Sequence, residues 1–473
     1  MIMFNYRSGL MLLPFLIGLL SYVVILPELT PETNTGAKTL YSIEADVPIS
    51  DFLKLATTSD ENTITTLVDK IDKNWKERYE IMALETLYFS NDSRVRLALR
   101  KLLEKKTQKE IVRNYDKTFQ YIWNKEPTYT ENYFEFKAKL HQAIDPKFYT
   151  YFSGRADQSN IRLDEVRWGG VLQDGIPPLR QPQMLTAAEA TYLDEDDVVF
   201  GIEINRDVRA YPKRILAWHE MFVDTVGDIP VAGVYCTLCG TVILYKTEHK
   251  GINYELGTSG FLYRSNKLMY DKKTQSLWST LEGEPVIGPL TNKGIQLDFL
   301  SVVTTTWGAW KDLHPSTKVL SLNTGHRRDY GEGVAYKSYF GTDDLMFTIP
   351  KIDTSLKNKD EILSVRLADD TTENYAIASK FLKKNPIYQA KIAGKSYVIF
   401  TDKSGAHRAY FSEGIKFKNY DRKISATDDS GTDWKLEEDQ LVGGNGKILE
   451  RLPTHNAFWF GYKAAFPDTI LVK

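Results

Sequence analysis

The sequence predicts an α+β protein in which an N-terminal membrane anchor and a helical region precede two β-rich domains, the second a degenerate copy of the first. Three observations support this class: an apolar N-terminal run, helical periodicity after it, and short β-branched segments separated by Gly, Pro and Asp over the remainder. The predicted boundaries are 1–30 for the anchor, 31–60 for a tether, 61–155 for the helical region, 160–345 for the first β-rich domain, 346–360 for a linker and 361–473 for the second copy.

The N-terminal segment is expected to hold the chain in a membrane. An apolar run extends from about Leu10 to Pro27, near the roughly 17 to 25 residues that span a bilayer. Arg7 precedes the run, and Glu28 and Glu32 follow it, so the charge bias places the remainder outside the cytoplasm, on the periplasmic or cell-surface side. A cleaved signal peptide is the alternative, but the segment lacks the small-residue cleavage site of that class.

The helical region is predicted from residue spacing. Leu67, Ile71, Trp75 and Tyr79 fall near one face of a helix, and a second helical pattern follows the turn "SNDS". A helical hairpin or a short helical repeat is therefore expected here, with its charged residues on a solvated face.

Charge and composition limit the expected partners. The net charge is only -2, which gives no electrostatic reason to expect nucleic acid as a partner. An unidentified small molecule or protein is expected instead, with membrane contact through the N-terminal segment. The 27 Tyr, 22 Phe and 9 Trp suit either filled cores or a surface that binds a peptide or a glycan.

The β-rich part contains an internal repeat. The segments "SLWSTLEGEPVIGPL" and "TTTWGAWKDLHPSTKVL" recur late in the chain as "TDWKLEEDQLVGGNGKILERLP" and "NAFWFGYKAAFPDTILV". Trp278 then corresponds to Trp434, and Trp307 corresponds to Trp459. The long period indicates two related domains rather than a solenoid.

The second copy lacks the chain's only two cysteines. Cys236 and Cys239 lie in "VYCTLCGTVILY", which aligns with "IFTDKSGAHRAY", so Thr401 and Ser404 stand at the cysteine positions. If both copies share a fold, that fold does not need the thiols. The cysteines are therefore predicted to have a chemical role rather than a structural one.

The cysteine pair is predicted to lie on a turn between two strands. The residues after Gly240 are β-branched, which favours a strand over the helix that follows the C-x-x-C pair of thioredoxin-like proteins. A strand, C-x-x-C-G and a second strand form the shape of a zinc knuckle, in which glycine closes the turn. The first hypothesis is therefore a bound metal ion, either Zn²⁺ or Cu⁺.

Further ligands of this metal must come from distant residues, because no second Cys or His pair lies nearby at short spacing. His219, which precedes the pair by 17 residues, is the first candidate, and His314 is the second. Glu220 and Met269 are expected beside the metal, where a methionine would favour copper.

Two alternatives to the metal remain open. Outside the cytoplasm the two thiols would oxidise to the one possible intrachain disulfide, Cys236–Cys239, and act in thiol–disulfide exchange. So small a loop gives little stabilisation, which disfavours a purely structural clip. The other alternative is a peptide- or glycan-interaction module without metal. No nucleotide-binding, nucleophile-elbow or zincin motif occurs, so no enzymatic reaction is predicted.

Several motifs in order resemble those of a known family. The stretches "LAWHEMFVD", "VYCTLCGTVILY", "GTSGFLYRSNKLMYD" and "SLW" over about 170–345 are similar to the mostly bacterial family of domain of unknown function 3179. The sequence departs from the family pattern at Thr237, where proline is usual. The resemblance implies a secreted or membrane-anchored location, no established activity, and one group of site residues: His219, Glu220, Cys236, Cys239 and Met269.

Overall fold

The structure, a computed structural model, describes residues 46–112, 115–366 and 373–473. The predicted anchor and the beginning of the tether lie outside these ranges, so the anchor stays a prediction. Within the described ranges, no helix is both long enough and apolar enough to cross a membrane.

A helical region precedes the β-rich part, as the sequence predicts. Its helices are α1 (Ile49–Thr57), α2 (Glu61–Lys73), α3 (Tyr79–Phe89), α4 (Ser93–Thr107), α5 (Asp116–Trp123), α6 (Glu131–Gln142) and α7 (Tyr149–Phe152). Helix α3 is the central one, since it is buried along nearly its whole length. Lys137 of α6 forms a buried ion pair with Glu85 of α3, with 2.5 Å between Nζ and Oε1.

Helix α1 occupies part of the predicted tether, which corrects that boundary. The sequence predicts a polar, Thr-rich tether over 31–60, but Phe52 and Leu55 of α1 are fully buried. The ring of Phe52 lies 5.7 Å from that of Tyr79 and 6.2 Å from that of Phe136. Apolar residues three positions apart thus dock this short helix on the helical region.

The first β-rich half carries the cysteine turn. Its elements are β1 (Val166–Trp168), β2 (Leu179–Arg180), β3 (Met184–Thr186), β4 (Val198–Ile204), β5 (Asp207–Pro212), α8 (Lys213–His219), β6 (Met221–Val226), β7 (Ile229–Cys236), β8 (Thr241–Lys246), β9 (Glu248–His249), β10 (Ile252–Asn253), β11 (Leu256–Tyr263), β12 (Asn266–Asp271), β13 (Leu277–Ser279), β14 (Pro285–Ile287), β15 (Phe299–Leu300), β16 (Val303–Thr306), α9 (Trp307–Leu313), β17 (Lys318–Leu320) and α10 (Lys337–Phe340). The larger sheets run β16-β4-β5-β17-β3, β15-β8-β7-β6-β2 and β1-β11-β12-β13-β14.

The second half has a similar set of elements. They are β18 (Glu361–Val365), β19 (Tyr375–Ala378), α11 (Ser379–Lys384), β20 (Ile387–Ile392), β21 (Lys395–Thr401), β22 (His407–Phe411), β23 (Phe417–Tyr420), β24 (Ser425–Asp428), β25 (Asp433–Leu436), β26 (Gln440–Gly443), β27 (Ile448–Leu452), β28 (Thr454–Phe458), α12 (Trp459–Ala465) and β29 (Ile470–Val472). They form a four-stranded sheet, β28-β18-β19-β29, and an eight-stranded sheet, β20-β21-β22-β27-β26-β25-β24-β23.

Strand order is shared between the halves. The order β16-β4-β5-β17 matches β28-β18-β19-β29, and in both sheets the last pair is parallel. The order β6-β7-β8-β15 likewise matches β20-β21-β22-β27. The halves differ where β27 also pairs with β26, which extends the second sheet to eight strands. This common order is what a duplication of the sequence would produce.

The two tryptophans that the repeat aligns have the same local setting. Trp278 in β13 donates its indole N–H to Asp271 over 3.2 Å, and Trp434 in β25 donates to Asp428 over 3.0 Å. Each aspartate ends the preceding strand, and both indoles are buried. The aligned aromatic residues therefore belong to the cores.

Candidate functional site

The cysteines lie on a turn between two strands, as predicted. Cys236 ends β7 and pairs with Thr241 at the beginning of β8. A disulfide joins Cys236 to Cys239, with 5.6 Å between their Cα atoms. Gly240 has a φ of +59°, which glycine adopts without strain, and a Cβ there would lie 2.8 Å from the ring of Phe458.

The disulfide lies where the first half meets the second. Cys236 is 3% exposed and Cys239 is fully buried. The N–H of Phe458 donates to the carbonyl oxygen of Cys239 over 2.7 Å. A Cβ on Gly461 of α12 would lie 2.7 Å from the Cβ of Cys239, so only glycine permits this approach.

A buried ion pair is hydrogen-bonded to the turn. Glu220 follows α8 in the left-handed region, with a φ of +54°. Its Oε1 accepts a hydrogen bond of 2.6 Å from the hydroxyl of Thr237, which lies between the cysteines, and its Oε2 lies 2.5 Å from Nζ of Lys267. Burial lowers the pKa of Lys267, and the charge of Glu220 opposes this shift. A carboxylate and an amine of weakened basicity therefore adjoin the disulfide turn.

A segment after β17 covers the turn and the ion pair. This covering loop, residues 322–345, contains α10 and little other regular structure. Tyr339 donates its O–H to the carbonyl oxygen of Leu238 over 2.6 Å, and Tyr336 donates to Glu220 over 3.2 Å. The covering loop thus contributes to the burial of the disulfide.

His219 is buried, and both of its ring nitrogens are hydrogen-bonded. Nδ1 lies 2.9 Å from the carbonyl oxygen of Pro177, and Nε2 lies 2.6 Å from the hydroxyl of Tyr330. A carbonyl only accepts, so Nδ1 carries the proton and Nε2 accepts from Tyr330. Burial lowers the pKa of His219 to about 4, which keeps the imidazole neutral near pH 7.

The other predicted ligands lie apart from the cysteine turn. His314 follows α9 and places Nε2 3.3 Å from Oε1 of Glu438 in the second half. Met269 in β12 pairs with Trp278 and packs in a buried cluster that does not include the cysteines.

The donors expected for a metal are therefore not assembled among the described residues, and the expected pair of free thiolates is a disulfide instead. Cys236 and Cys239 are bonded to each other, so neither offers a thiolate, and His219 has no ring nitrogen left to coordinate. No group of three or more His, Cys, Asp or Glu in the described ranges could hold a metal ion. Binding of Zn²⁺ or Cu⁺ by the reduced cysteines stays a prediction.

The sequence-based reasoning missed several groups around the turn. Lys267, Thr237, Tyr336 and Tyr339 all contact the turn or its ion pair. The available signal was Lys267, a charged residue in the otherwise uncharged strand segment "NKLMY", where burial requires a partner. The tyrosines had no such signal, because the covering loop has no periodicity.

The fold and the site define a class of protein: two similarly ordered β-rich halves, with a covered disulfide turn in the first half only. The chain belongs to the family described as protein of unknown function, DUF3179, whose model matches residues 173–469. The resemblance seen in the motifs is confirmed, and the match extends through the second half. Neither a curated protein nor a solved structure matched the chain.

Proposed function

We propose that this protein is a thiol–disulfide redox protein that uses the Cys236–Cys239 pair. The observation that carries the proposal is the disulfide on a C-x-x-C turn, hydrogen-bonded through Thr237 to the buried Glu220–Lys267 pair. A disulfide next to a titratable buried pair is an arrangement suited to exchange, because exchange creates and consumes thiolates.

The proposed exchange transfers two electrons from a dithiol partner. A partner thiolate attacks the sulfur of Cys236, the less completely buried of the two residues, and the Cys236–Cys239 bond breaks as a mixed disulfide forms. Cys239 leaves as a thiolate and takes up a proton. The partner's second thiol then loses its proton and attacks the mixed disulfide, and Cys236 leaves as a thiolate that is protonated in turn. The protein ends as a dithiol and the partner as a disulfide.

The ion pair supports the proposal through its charge. The ammonium group of Lys267 lies 2.5 Å from the carboxylate of Glu220, so it offsets the negative charge that would otherwise disfavour a thiolate at the turn. Glu220 holds that ammonium group and, through the hydroxyl of Thr237, the loop between the sulfurs. We assign both side chains positioning roles.

The proposed location is the extracytoplasmic side of a membrane, with the N-terminal segment as the anchor. The charge bias around that segment supports this location, and so does the disulfide, because disulfides persist in oxidising compartments and are rare in the cytosol.

The test combines a thiol count, a redox titration and metal analysis on the purified protein. We expect no free thiol before reduction, two after it, and a reduction potential above about -300 mV, because structural disulfides lie below that value. The matched control is the Cys236→Ser, Cys239→Ser variant, which should show no titration.

Two results would contradict the proposal. A potential well below about -300 mV would assign the disulfide to a structural role. Stoichiometric Zn²⁺ or Cu⁺ in the reduced protein, lost in the double serine variant, would favour the metal hypothesis instead.

A further inference from the structure

A cavity of about 530 Å³ opens beside His219. The hydroxyl of Tyr330, a lining residue, donates to Nε2 of this histidine. Such a volume lies within the range of small-molecule sites, roughly 300 to 1,000 Å³. The basic residues of the lining are Arg214, His326, Arg327 and Arg328.

The balance of charge in the lining is positive. The guanidinium of Arg214 lies 2.7 Å from Asp197 and 3.2 Å from Glu332, and that of Arg328 donates to the carbonyl oxygen of Arg327 over 3.0 Å. The lining residues in the described part of the chain include one acid, Asp329. Its carboxylate accepts the N–H of Gly331 over 2.9 Å and so shapes the loop.

The backbone that carries the arginines is fixed by other side chains. Trp218 donates its indole N–H to the carbonyl oxygen of Asp329 over 2.7 Å, and the hydroxyls of Thr324 and Tyr330 lie 2.6 Å apart. His219 anchors Tyr330 in turn. A loop held in this way binds a ligand without a large loss of conformational entropy.

The geometry points to a binding site for a small, multiply charged oxyanion, with Arg327 and Arg328 as its principal contacts. Arginine presents a planar fork of N–H donors that matches phosphate and carboxylate oxygens. Two adjacent arginines on one short loop favour a small ligand over an extended polyanion, in agreement with the net charge of -2. The inference does not depend on the redox proposal, because the cysteines do not line the cavity.

Calorimetric titration of the full chain with pyrophosphate, and separately with citrate, tests the site. We expect saturable binding of at least one probe at low salt. The Arg327→Gln, Arg328→Gln variant should bind about a hundredfold more weakly, since each of the two lost charge-assisted pairs contributes about tenfold. The matched control is Arg206→Gln, an exposed arginine on the turn between β4 and β5, which should bind as the parent does.

The two probes distinguish the ligand class. Tighter binding of pyrophosphate assigns a phosphoryl group, and tighter binding of citrate assigns a polycarboxylate. The inference is overturned if neither probe binds, if the double variant binds as tightly as the parent, or if Arg206→Gln loses as much affinity. Circular dichroism of each variant verifies that these substitutions leave the fold intact.

Discussion

The two β-rich halves close the same turn by different means. In the first half a disulfide joins Cys236 to Cys239. In the second, the carboxylate of Asp402 accepts the N–H groups of Ser404 and Ala406 over 2.8 and 3.1 Å. Hydrogen bonds alone therefore hold a turn at this place in the fold, which means that the disulfide is not needed to close it. This difference favours a chemical use of the cysteines.

The buried charges beside the two turns also differ. Glu220 in the first half has a single cationic partner, Lys267, whose pKa is lowered by burial. In the second half Arg408 lies 3.0 Å from Asp402 and 2.7 Å from Glu438. Burial acts to raise the pKa of Glu438, but the charge of Arg408 and a hydrogen bond from His314 hold it well below its usual range. Arg408 thus keeps Glu438 ionised in the second network, whereas burial lowers the pKa of the amine in the first.

The contacts of the turns are reciprocal. The first turn packs on the second half, where the N–H of Phe458 in β28 donates to Cys239. The second turn packs on the first half, where the hydroxyl of Ser404 lies 3.0 Å from that of Thr305 in β16. Since β16 and β28 occupy matching positions, the halves exchange equivalent contacts. Changes in either turn are therefore expected to affect the contact between halves.

The largest expected effect comes from breaking the ion pair of the first half. Lys267→Met leaves the carboxylate of Glu220 buried without its cation, and we expect the free energy of unfolding to fall by about 3 to 5 kcal/mol. Urea denaturation measures the loss. The control replaces both partners, Lys267→Met with Glu220→Gln, and should recover most of the stability. Equal losses in the single and double variants would show that packing, rather than charge, accounts for the effect.

The second prediction compares how much stability each half loses when the group that closes its turn is removed. Asp402→Ala removes charge-assisted hydrogen bonds to the turn and one partner of Arg408, so it should cost about 3 kcal/mol. Cys236→Ser with Cys239→Ser removes a cross-link over a very short loop and should cost about 2 kcal/mol. Urea denaturation of both variants gives the ranking. A larger loss from the serine variant would assign the disulfide a mainly stabilising role and weaken the redox proposal.

The third expected effect is a loss of folding stability at acid pH. Burial lowers the pKa of His219 to about 4 and that of His407 in the second half to about 3, against about 6.5 for an unperturbed histidine. As the pH falls from about 6.5 towards these lowered pKa values, both histidines take up protons in the unfolded chain but not in the folded protein. The free energy of unfolding therefore falls as the pH falls below about 6.5.

Substitution of each histidine separates the two contributions. From pH 7 to pH 5, His219 alone should account for about 2 kcal/mol of the loss, which His219→Gln should remove. His407→Gln is the corresponding substitution in the second half. The readout is the change in unfolding free energy with pH, which separates titration from lost packing. If His219→Gln leaves this pH dependence unchanged, His219 is not buried in its neutral form.

Local sequence patterns predicted much of the fold around the site. The β-branched run after Gly240 predicted β8 on the far side of the turn, and that prediction is confirmed. Spacing alone misled in the helical region: Ile71 and Tyr79 were expected near one helical face, but α2 ends at Lys73 and α3 begins at Tyr79. Periodicity identifies buried positions well, but it does not show a short break between helices.

The site itself could be predicted only in part, because its contacts are long-range. The motif order grouped Glu220 with the cysteines, and Glu220 does bond to the turn through Thr237. Lys267, which contacts Glu220, lies in β12, 47 residues further along the chain. Tyr339, which contacts Leu238 of the turn, lies in the covering loop, 101 residues further along. Such contacts depend on tertiary packing, which residue spacing along the chain does not reveal.

The smallest expected effect concerns access to the disulfide. The O–H of Tyr339 donates to the carbonyl oxygen of Leu238, inside the turn, so it ties the covering loop to the residues that must move for exchange. Tyr339→Phe removes this bond and should weaken the closed arrangement by about 1 kcal/mol. If a reductant reaches the sulfurs only when the covering loop opens, reduction by dithiothreitol should become about fivefold faster.

A matched tyrosine in the second half provides the control. The O–H of Tyr410 donates to the carbonyl oxygen of Glu437 over 2.7 Å, the same kind of bond far from the disulfide along the chain. Tyr410→Phe also removes the hydrogen bond that this hydroxyl accepts from Arg451, so it should lose at least as much stability while leaving the reduction rate unchanged. Equal acceleration in both variants would mean that the disulfide is reduced through global unfolding. If Tyr339→Phe leaves the reduction rate unchanged, the covering loop does not control access to the disulfide. The hydrogen bond between Tyr339 and Leu238 would then have no effect on the attack of dithiothreitol on the sulfurs.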